Sequence, residues 1–217
     1  MNCRKKLILF FVISLIIAIV ISLLAYPLLS EKIASHWNAQ GIADGFSDKG
    51  FSLFFTLLIM TAVFLLFLWI PTADPLKKNI AKFENEYYLF CKAMIFFFLY
   101  LHIIMIIVNL GSTINMIQFL APAFAIVFYF SGRLIEKSKR NYFIGVRTPW
   151  TLTDDDNWEK TSEATGKLFK LVGSLCLVGL LFPLILIWII GAGAIIIVIF
   201  SFVYSYTLFK KKQKRKK

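Results

Sequence analysis

Long apolar runs alternate with short polar segments along almost the whole chain. Each run is close to the roughly 20 residues needed to cross the hydrocarbon core of a bilayer. Gly191 and Gly193 predict a tight hairpin between the last two runs, and Pro183 predicts a kink in the first of these. The pattern predicts an all-α, polytopic membrane protein with six transmembrane helices, at about residues 7–29, 51–70, 93–110, 116–132, 168–188 and 194–209.

The polar segments predict the connections between these helices. Residues 30–50 predict a loop, residues 77–92 a short surface helix, and residues 111–115 a turn. Pro71, Asp74 and Pro75 predict the end of the second span. The first apolar run follows a basic flank, but at about 23 residues it is longer than the hydrophobic region of a signal peptide. A transmembrane helix is therefore predicted there, with a cleaved signal peptide as the alternative.

Composition and charge support a membrane location and predict its orientation. The chain is 59% hydrophobic and 17% aromatic, with a mean hydropathy of +0.76, outside the range of soluble domains. Of its 24 Lys and Arg residues, 22 fall in segments that share one side if six helices cross the membrane, and two fall on the other side. The positive-inside rule then predicts cytoplasmic termini. The net charge of +12 thus reflects topology and contact with the lipid bilayer, and no direct nucleic-acid binding is expected. A basic tail that binds an acidic protein or nucleic acid is the alternative.

Motifs of catalysis and cofactor binding are missing from the sequence. Cys3, Cys91 and Cys176 are too widely spaced to indicate a disulfide framework or a metal site. The chain contains no phosphate-binding glycine loop, zinc-protease motif, nucleophile elbow or pair of intramembrane carboxylates. We therefore expect no enzyme activity, no cofactor and no metal.

The predicted outer loop is the main surface that the chain presents outside the cell. Its candidate residues comprise potential ligands, turn formers and an interfacial aromatic: His36, Trp37, Asn38, Gly41, Asp44 and Gly45. A metal site is one interpretation, although the spacing matches no known motif. In the other interpretation, the glycines permit turns and the tryptophan belongs to the aromatic belt at the membrane interface.

His102 is an ionisable residue well inside a predicted span, which makes it a functional candidate. Asn109 follows two helical turns later on a similar face. A transport path lined by the two residues is one hypothesis. A hydrogen-bonded histidine that serves packing is favoured, because no Asp or Glu accompanies it in any span.

Residues 141–166 form the longest polar interruption between apolar runs and contain several local structural signals. Pro149 predicts an extended Thr148 and a rigid turn. Thr153 or Asp154 is the predicted N-cap of the next helix, and the residue spacing predicts the i,i+4 ion pairs Asp156–Lys160 and Glu163–Lys167. Two interpretations remain open. In the first, this is a capped surface helix whose tryptophans, Trp150 and Trp158, anchor the membrane depth. In the second, it is a compact unit with Arg147 paired to an acid at 154–156 and the indoles covering helix ends.

Two of these segments together resemble a known family. The sequence HWNAQGIADGF after a first span, and Asn141 followed by IGVRTPWTL with a later tryptophan, resemble the SdpI family of bacterial membrane proteins. The resemblance covers most of the chain, and its first half resembles a membrane domain of unknown function often found upstream. Ser162 differs, because the family often has His or Asn there. The matching positions are Asn141, Gly145, Arg147, Thr148, Pro149, Trp158 and Gly166.

The resemblance implies a function and a division of the chain. It implies an immunity protein of the bacterial cytoplasmic membrane that meets a secreted peptide toxin on its outer face, and that holds a small transcriptional repressor at its cytoplasmic face. Predicted regions are residues 1–75 with the outer loop, 76–132 with helices three and four, and 133–217 with the cytoplasmic motif and the last two helices. A small transporter or channel, and a sensory membrane protein without an immunity role, are the alternatives.

Overall fold

The computed structural model describes residues 2–215, and the last two residues of the predicted basic tail lie outside this range. The protein is almost entirely helical, with one two-stranded antiparallel sheet. In chain order the elements are α1 Cys3–Ala25, β1 Lys32–Trp37, β2 Ala43–Asp48, α2 Lys49–Ala73, α3 Lys77–Ile80, α4 Glu84–Asn109, α5 Met116–Lys137, α6 Pro149–Leu152, α7 Asp155–Cys176 and α8 Pro183–Arg215.

Within residues 2–215, five helical segments are long and apolar enough to cross a membrane, namely those containing α1, α2, α4, α5 and α8. The prediction of a multi-pass helical membrane protein is thus confirmed. Helix α7 falls outside this set because its first half, from Asp155 to Lys167, is polar. The sixth crossing and the cytoplasmic termini stay predictions.

The chain reverses earlier than predicted in the last helical pair, before Pro183 and not at residues 191–193. A 3-10 turn at Leu177–Leu180 leads into α8, which begins at Pro183 and continues through Gly191 and Gly193. The predicted kink at Pro183 and the hairpin at residues 191–193 are therefore wrong. Proline is tolerated at the start of a helix, where its missing N–H has no helical partner. A helix in lipid satisfies its own backbone groups, which favours continuing through the glycines. Gly193 also allows close packing, since a Cβ there would lie 2.8 Å from Cγ1 of Val172.

Two further predicted connections differ from the structure. The segment at 30–50 contains the β1–β2 hairpin rather than an irregular loop. The prediction of a separate surface helix at 77–92 is also wrong, because α3 and a 3-10 turn at Ala81–Phe83 lead directly into α4. Pro71 lies in the last turn of α2, and the helix ends at Ala73, before the extended Asp74.

Apolar side chains form three buried clusters. One joins α1, α2 and α4, and contains the stacked rings of Phe11 and Phe64, whose centroids are 3.8 Å apart. A second joins α5, α7 and α8. The third packs the hairpin, through Ile33, against α1, α2 and α4. Many leucine, isoleucine and phenylalanine side chains on the outside of α1, α2 and α8 are exposed, as expected of surfaces that face lipid.

The helix bundle has two different ends, which we call the polar end and the hairpin end. At the polar end, Cys3 of α1 contacts Asn85 of α4, and Arg133 of α5 forms a two-point ion pair with Glu86 of α4, at 2.9 and 3.1 Å. Lys212 of α8 contacts Asp154 at the start of α7, so both ends of the described chain lie at the polar end. The hairpin lies at the opposite end, beside Asn109 and the last turn of α1.

Candidate functional site

The connection between α5 and α7 folds back onto the polar end as a compact, hydrogen-bonded unit. Asn141 organises its first turn and is completely buried. Its Oδ1 accepts hydrogen bonds from the N–H groups of Phe143 and Ile144, at 2.9 and 2.6 Å, and its Nδ2 donates to the carbonyls of Lys139 and Ile144. An aspartate at this position would lack the two N–H donors, so the hydrogen bonds of this turn require an asparagine.

Trp158 is the centre of this unit. Its side chain is fully buried, and its indole N–H donates to the carbonyl of Ser138, at 3.0 Å. Gly145 lies against the ring with a φ of 107°, and a Cβ there would approach the indole to 2.8 Å. The interpretation of Trp158 as a membrane-depth anchor is therefore wrong, because the ring has no exposed surface. The compact unit proposed as the second interpretation is present.

Thr148 and Pro149 begin the short helix α6. Thr148 is extended, with φ −97° and ψ 163°, and forms a capping box with Thr151. Pro149 occupies the first turn, so the predicted rigid turn is a helical one. The Thr148 hydroxyl also donates to Ser205 of α8, at 3.1 Å, which ties the motif to the last helix. Trp150 packs against aromatic rings of α8 at Phe202, Tyr206 and Phe209.

Arg147 is an exposed member of the motif, and its predicted partner is wrong. One of its guanidinium N–H groups donates to the carbonyl of Tyr142, at 2.7 Å. The acids at 154–156 pair with other cations: Asp154 with Lys212, Asp155 with Arg140, and Asp156 with Lys160. Arg147 forms no ion pair with any carboxylate in the described part of the chain. Most of its hydrogen-bonding capacity therefore faces solvent.

The first turn of α7 has the predicted cap and ion pairs. The Asp154 side chain accepts hydrogen bonds from the N–H groups of Asp156 and Asn157. A hydrogen bond from Lys212 holds the pKa of the Asp154 carboxyl below its usual range. The predicted pairs Asp156–Lys160 and Glu163–Lys167 are present at 2.8 and 2.7 Å. The chain thus selects Asp154, rather than Thr153, as N-cap.

Gly166 allows α7 to approach α5 closely. A Cβ on Gly166 would lie 2.6 Å from the carbonyl oxygen of Gly132, and a Cβ on Gly132 would lie 2.6 Å from that of Gly166. Ser162 lies one turn earlier, fully buried, and its hydroxyl has no hydrogen-bond partner among the described residues. The motif glycine is therefore required by backbone contact, not by a turn.

Asp74 and Asn79 hold the compact unit against the first half of the chain, and sequence reasoning missed this role. The Asp74 carboxylate is 2% exposed and accepts from the N–H groups of Leu76 and Tyr142, at 2.6 and 2.8 Å. Asn79 donates to the carbonyl of Arg140, at 2.8 Å. An aspartate between two prolines signals a turn, and nothing local identifies a partner 68 residues away.

Several candidate residues of the predicted outer loop stabilise the turn of the β1–β2 hairpin. Asn38 Oδ1 accepts from the N–H groups of Gln40 and Ile42, both at 3.0 Å, which closes the turn. Gly41 has a φ of 80°, a conformation that favours glycine.

The remaining candidates of the hairpin lie on its strands. Gly45 pairs with His36, and a Cβ there would approach His36 Cβ to 2.9 Å. His36 Nδ1 is 2.5 Å from Asp44 Oδ1. Trp37 packs against the buried hairpin cluster. Within residues 2–215, no group of three or more His, Cys, Asp or Glu side chains is arranged to hold a metal ion.

His102 and Asn109 each make a specific packing contact. His102 is buried, and its Nε2 lies 2.8 Å from the hydroxyl of Ser22 on α1. Asn109 binds the backbone of Ala34, accepting from its N–H at 2.7 Å and donating to its carbonyl at 3.0 Å. The favoured interpretation of His102 as a hydrogen-bonded packing residue agrees with this geometry, and Asn109 anchors the hairpin to α4.

Comparisons with known proteins match both ends of the chain. Residues 137–205 match the model of the SdpI/YfhL protein family. This segment, which contains the motif at 141–166, is similar to that family. Residues 13–61, which contain the hairpin, match a domain of unknown function, DUF1648. The predicted family resemblance is thereby confirmed.

A curated relative extends the similarity over most of the chain. The chain is 25% identical over 157 residues to "Immunity protein SdpI" of Bacillus subtilis (strain 168), covering 72% of this chain and 73% of that protein. No solved structure matches the chain. Asp74 and Asn79 lie between the two matched segments, and their hydrogen bonds to the backbone of Tyr142 and Arg140 tie the connection between α2 and α4 to the SdpI/YfhL-like segment.

Proposed function

We propose that this protein is an immunity protein of the bacterial cytoplasmic membrane that protects its cell from a secreted antimicrobial peptide. The observation that carries the proposal is the similarity to Immunity protein SdpI, which covers 72% of the chain. The bundle supports it by separating a hairpin end from a polar end. The excess of basic residues in the segments of the polar end supports an orientation with the hairpin outside and the SdpI/YfhL-like motif in the cytoplasm.

The hairpin supplies a surface suited to a peptide toxin. Ile42 and Phe46 are each 63% exposed, although they lie on an ordered element held by Asn109 and Asn115. A rigid support with exposed apolar side chains is typical of a binding surface, since little conformational freedom is lost on contact. The hairpin is therefore the proposed site of toxin contact.

We predict that the double substitution Ile42→Ser and Phe46→Ser weakens protection. The toxin concentration tolerated by expressing cells is expected to fall roughly tenfold, corresponding to a loss of about 1.4 kcal/mol of binding. Both side chains are exposed, so the protein should still accumulate in the membrane. Gln40→Ser, an exposed polar change in the same hairpin, is the matched control and should protect like the wild type.

The assay uses toxin-sensitive cells that express the protein, with membrane levels measured by immunoblot. Full protection by the double variant would exclude the hairpin as the contact surface. No protection by the wild-type protein against any peptide toxin of related type would refute the immunity proposal itself.

The cytoplasmic end is the proposed docking site for a small repressor. Most buried motif residues are used to build the compact unit, whereas Arg147 is exposed and has no carboxylate partner among the described residues. The same polar end of the bundle carries a cleft of about 660 Å³, lined by residues of α4, α5 and α7 that include Glu84, Lys137 and Glu159. An exposed cation and a mixed-charge cleft at one end of the bundle suit a soluble protein partner better than a small ligand.

We predict that Arg147→Ala reduces recruitment of such a repressor to the membrane while leaving protection intact. The expected reduction is roughly tenfold or more, because arginine commonly contributes 2 kcal/mol or more at interfaces (about 30-fold). Lys160→Ala removes the same charge from an exposed i,i+4 pair and serves as control. The measurement is co-purification of the repressor with membranes from toxin-treated cells. Equal recruitment by Arg147→Ala and the wild type would contradict a role for this residue.

A further inference from the structure

A groove at the polar end lies between the end of α2, helix α3 and the start of α4. Its volume is about 330 Å³, and its lining combines basic and apolar groups: Pro71, Lys77, Lys78, Ile80, Ala81, Glu84, Tyr87 and Tyr88. Tyr87 is buried, and its hydroxyl donates to the carbonyl of Phe67, at 2.7 Å, which fixes this wall. Neither the motif nor the hairpin uses this groove.

The lysines of the groove are unpaired. Lys77 and Lys78 are exposed, and neither forms an ion pair within 4.0 Å with any acid in residues 2–215. Glu84 lines the same groove but is likewise not bonded to either lysine. Asn85, next to Glu84, contacts Cys3 at the start of α1, so the basic residues at positions 4–6 lie at the same level of the bundle. The local field therefore favours an anion.

The position of the groove specifies which anion fits. Helix α3 connects two membrane-spanning helices, so the groove lies where hydrocarbon meets the polar boundary. A free phosphate would not bury the apolar surface of the groove at Pro71, Ile80 and Ala81. A molecule with a negatively charged head and an apolar body satisfies both parts of the lining at once.

We propose that this groove is a binding site for an anionic glycerophospholipid of the cytoplasmic leaflet. The phosphate head lies between the ammonium groups of Lys77 and Lys78, and the first part of the acyl chains follows the apolar walls. The proposal is independent of the immunity function, since it concerns how the bundle is seated in its membrane.

Native mass spectrometry of the full chain in detergent micelles tests the site with phosphatidylglycerol and phosphatidylcholine as probes. Phosphatidylglycerol is expected to bind more tightly, and the double substitution Lys77→Gln and Lys78→Gln is expected to weaken that binding roughly tenfold or more, since each basic residue near an anionic surface is worth about a fivefold change in affinity. The matched control is Lys210→Gln with Lys211→Gln, which removes the same charge from exposed positions of α8. It should weaken phosphatidylglycerol binding far less, because neither of these lysines lines the groove.

Two further measurements test whether the groove binds the whole lipid or only a phosphate group. Ala81→Trp fills the groove without changing its charge, and it should also weaken phosphatidylglycerol binding, whereas inorganic phosphate should not compete. Equal binding of the two lipids, equal effects of the two double substitutions, or competition by inorganic phosphate would each overturn the proposal. Unchanged thermal midpoints of all variants in lipid-free micelles show that the fold is retained, because every substituted position is exposed.

Discussion

Trp158→Ala is expected to lower the free energy of unfolding by about 3–5 kcal/mol, the range for removing a large aromatic side chain from a packed interior. The ring is completely buried, and its indole N–H satisfies the carbonyl of Ser138. Removing it leaves a cavity beside Gly145, whose backbone conformation is adapted to the ring. The loss therefore combines packing, a cavity and an unpaired carbonyl.

The measurement is equilibrium unfolding by SDS titration in mixed micelles. Trp158→Phe keeps an aromatic ring but removes the N–H donor, and should cost about 1–3 kcal/mol. Trp188→Ala is the matched control, because Trp188 is 76% exposed on α8, and it should change stability by no more than about 0.5 kcal/mol. Equal losses for Trp158→Ala and Trp188→Ala would show that Trp158 is an interfacial anchor after all.

Gly166→Ala is expected to destabilise the protein, by about 1–3 kcal/mol, although alanine favours helices over glycine by up to about 1 kcal/mol. The new methyl group would lie 2.6 Å from the carbonyl oxygen of Gly132 and 2.8 Å from Cβ of Glu136. Since the nearest atom belongs to the backbone, the helices α5 and α7 must separate to accept it. The contact loses packing along its length.

Gly191→Ala is the control, because it should change the free energy of unfolding in the opposite direction from Gly166→Ala. No atom lies within 4 Å of a Cβ built at Gly191, so alanine there should stabilise the helix by up to about 1 kcal/mol. The same titration measures both variants. If Gly166→Ala also stabilised the protein, the close α5–α7 contact would be refuted. Gly132→Ala should resemble Gly166→Ala, and the double variant should cost less than the sum, because both substitutions disrupt the same contact.

These two predictions separate residues that build the SdpI/YfhL-like segment from those available for function. Asn141, Gly145, Trp158 and Gly166 are all used internally, in hydrogen bonds or close packing. Arg147 is exposed, and within residues 2–215 its side chain bonds only to the carbonyl of Tyr142. A motif found in a membrane protein therefore contains mostly fold-determining residues, and function is better sought at its exposed member.

Several local features were predictable because their causes lie within a few residues. The Asp154 cap, the ion pairs Asp156–Lys160 and Glu163–Lys167, and the extended Thr148 all follow from near neighbours in sequence. The apolar runs likewise correspond to five helices able to span a membrane, since lipid demands long apolar helices.

Other features were mispredicted because competing local signals have equal strength. Pro183 is compatible with a kink or with a helix start, and Gly191 with a turn or with a helix interior. Packing decides between them, as Gly193 lies against Val172 of α7. The hairpin was mistaken for a loop because its strands are short and contain few β-branched residues. The partner of Arg147 was misassigned because three acids and several cations in the region allow many pairings.

The amino-acid sequence by itself determined that this is a helical membrane protein, how its positive charges are distributed among the segments between the apolar runs, and which family its polar motif resembles. These properties depend on composition, periodicity and charge order, which require no knowledge of distant contacts. The tertiary structure alone decided that Trp158 is a core residue, that Gly166 is a helix contact and that Asp74 holds Tyr142. The physical reason is that burial, close approach and hydrogen-bond partners are created when segments tens of residues apart pack together.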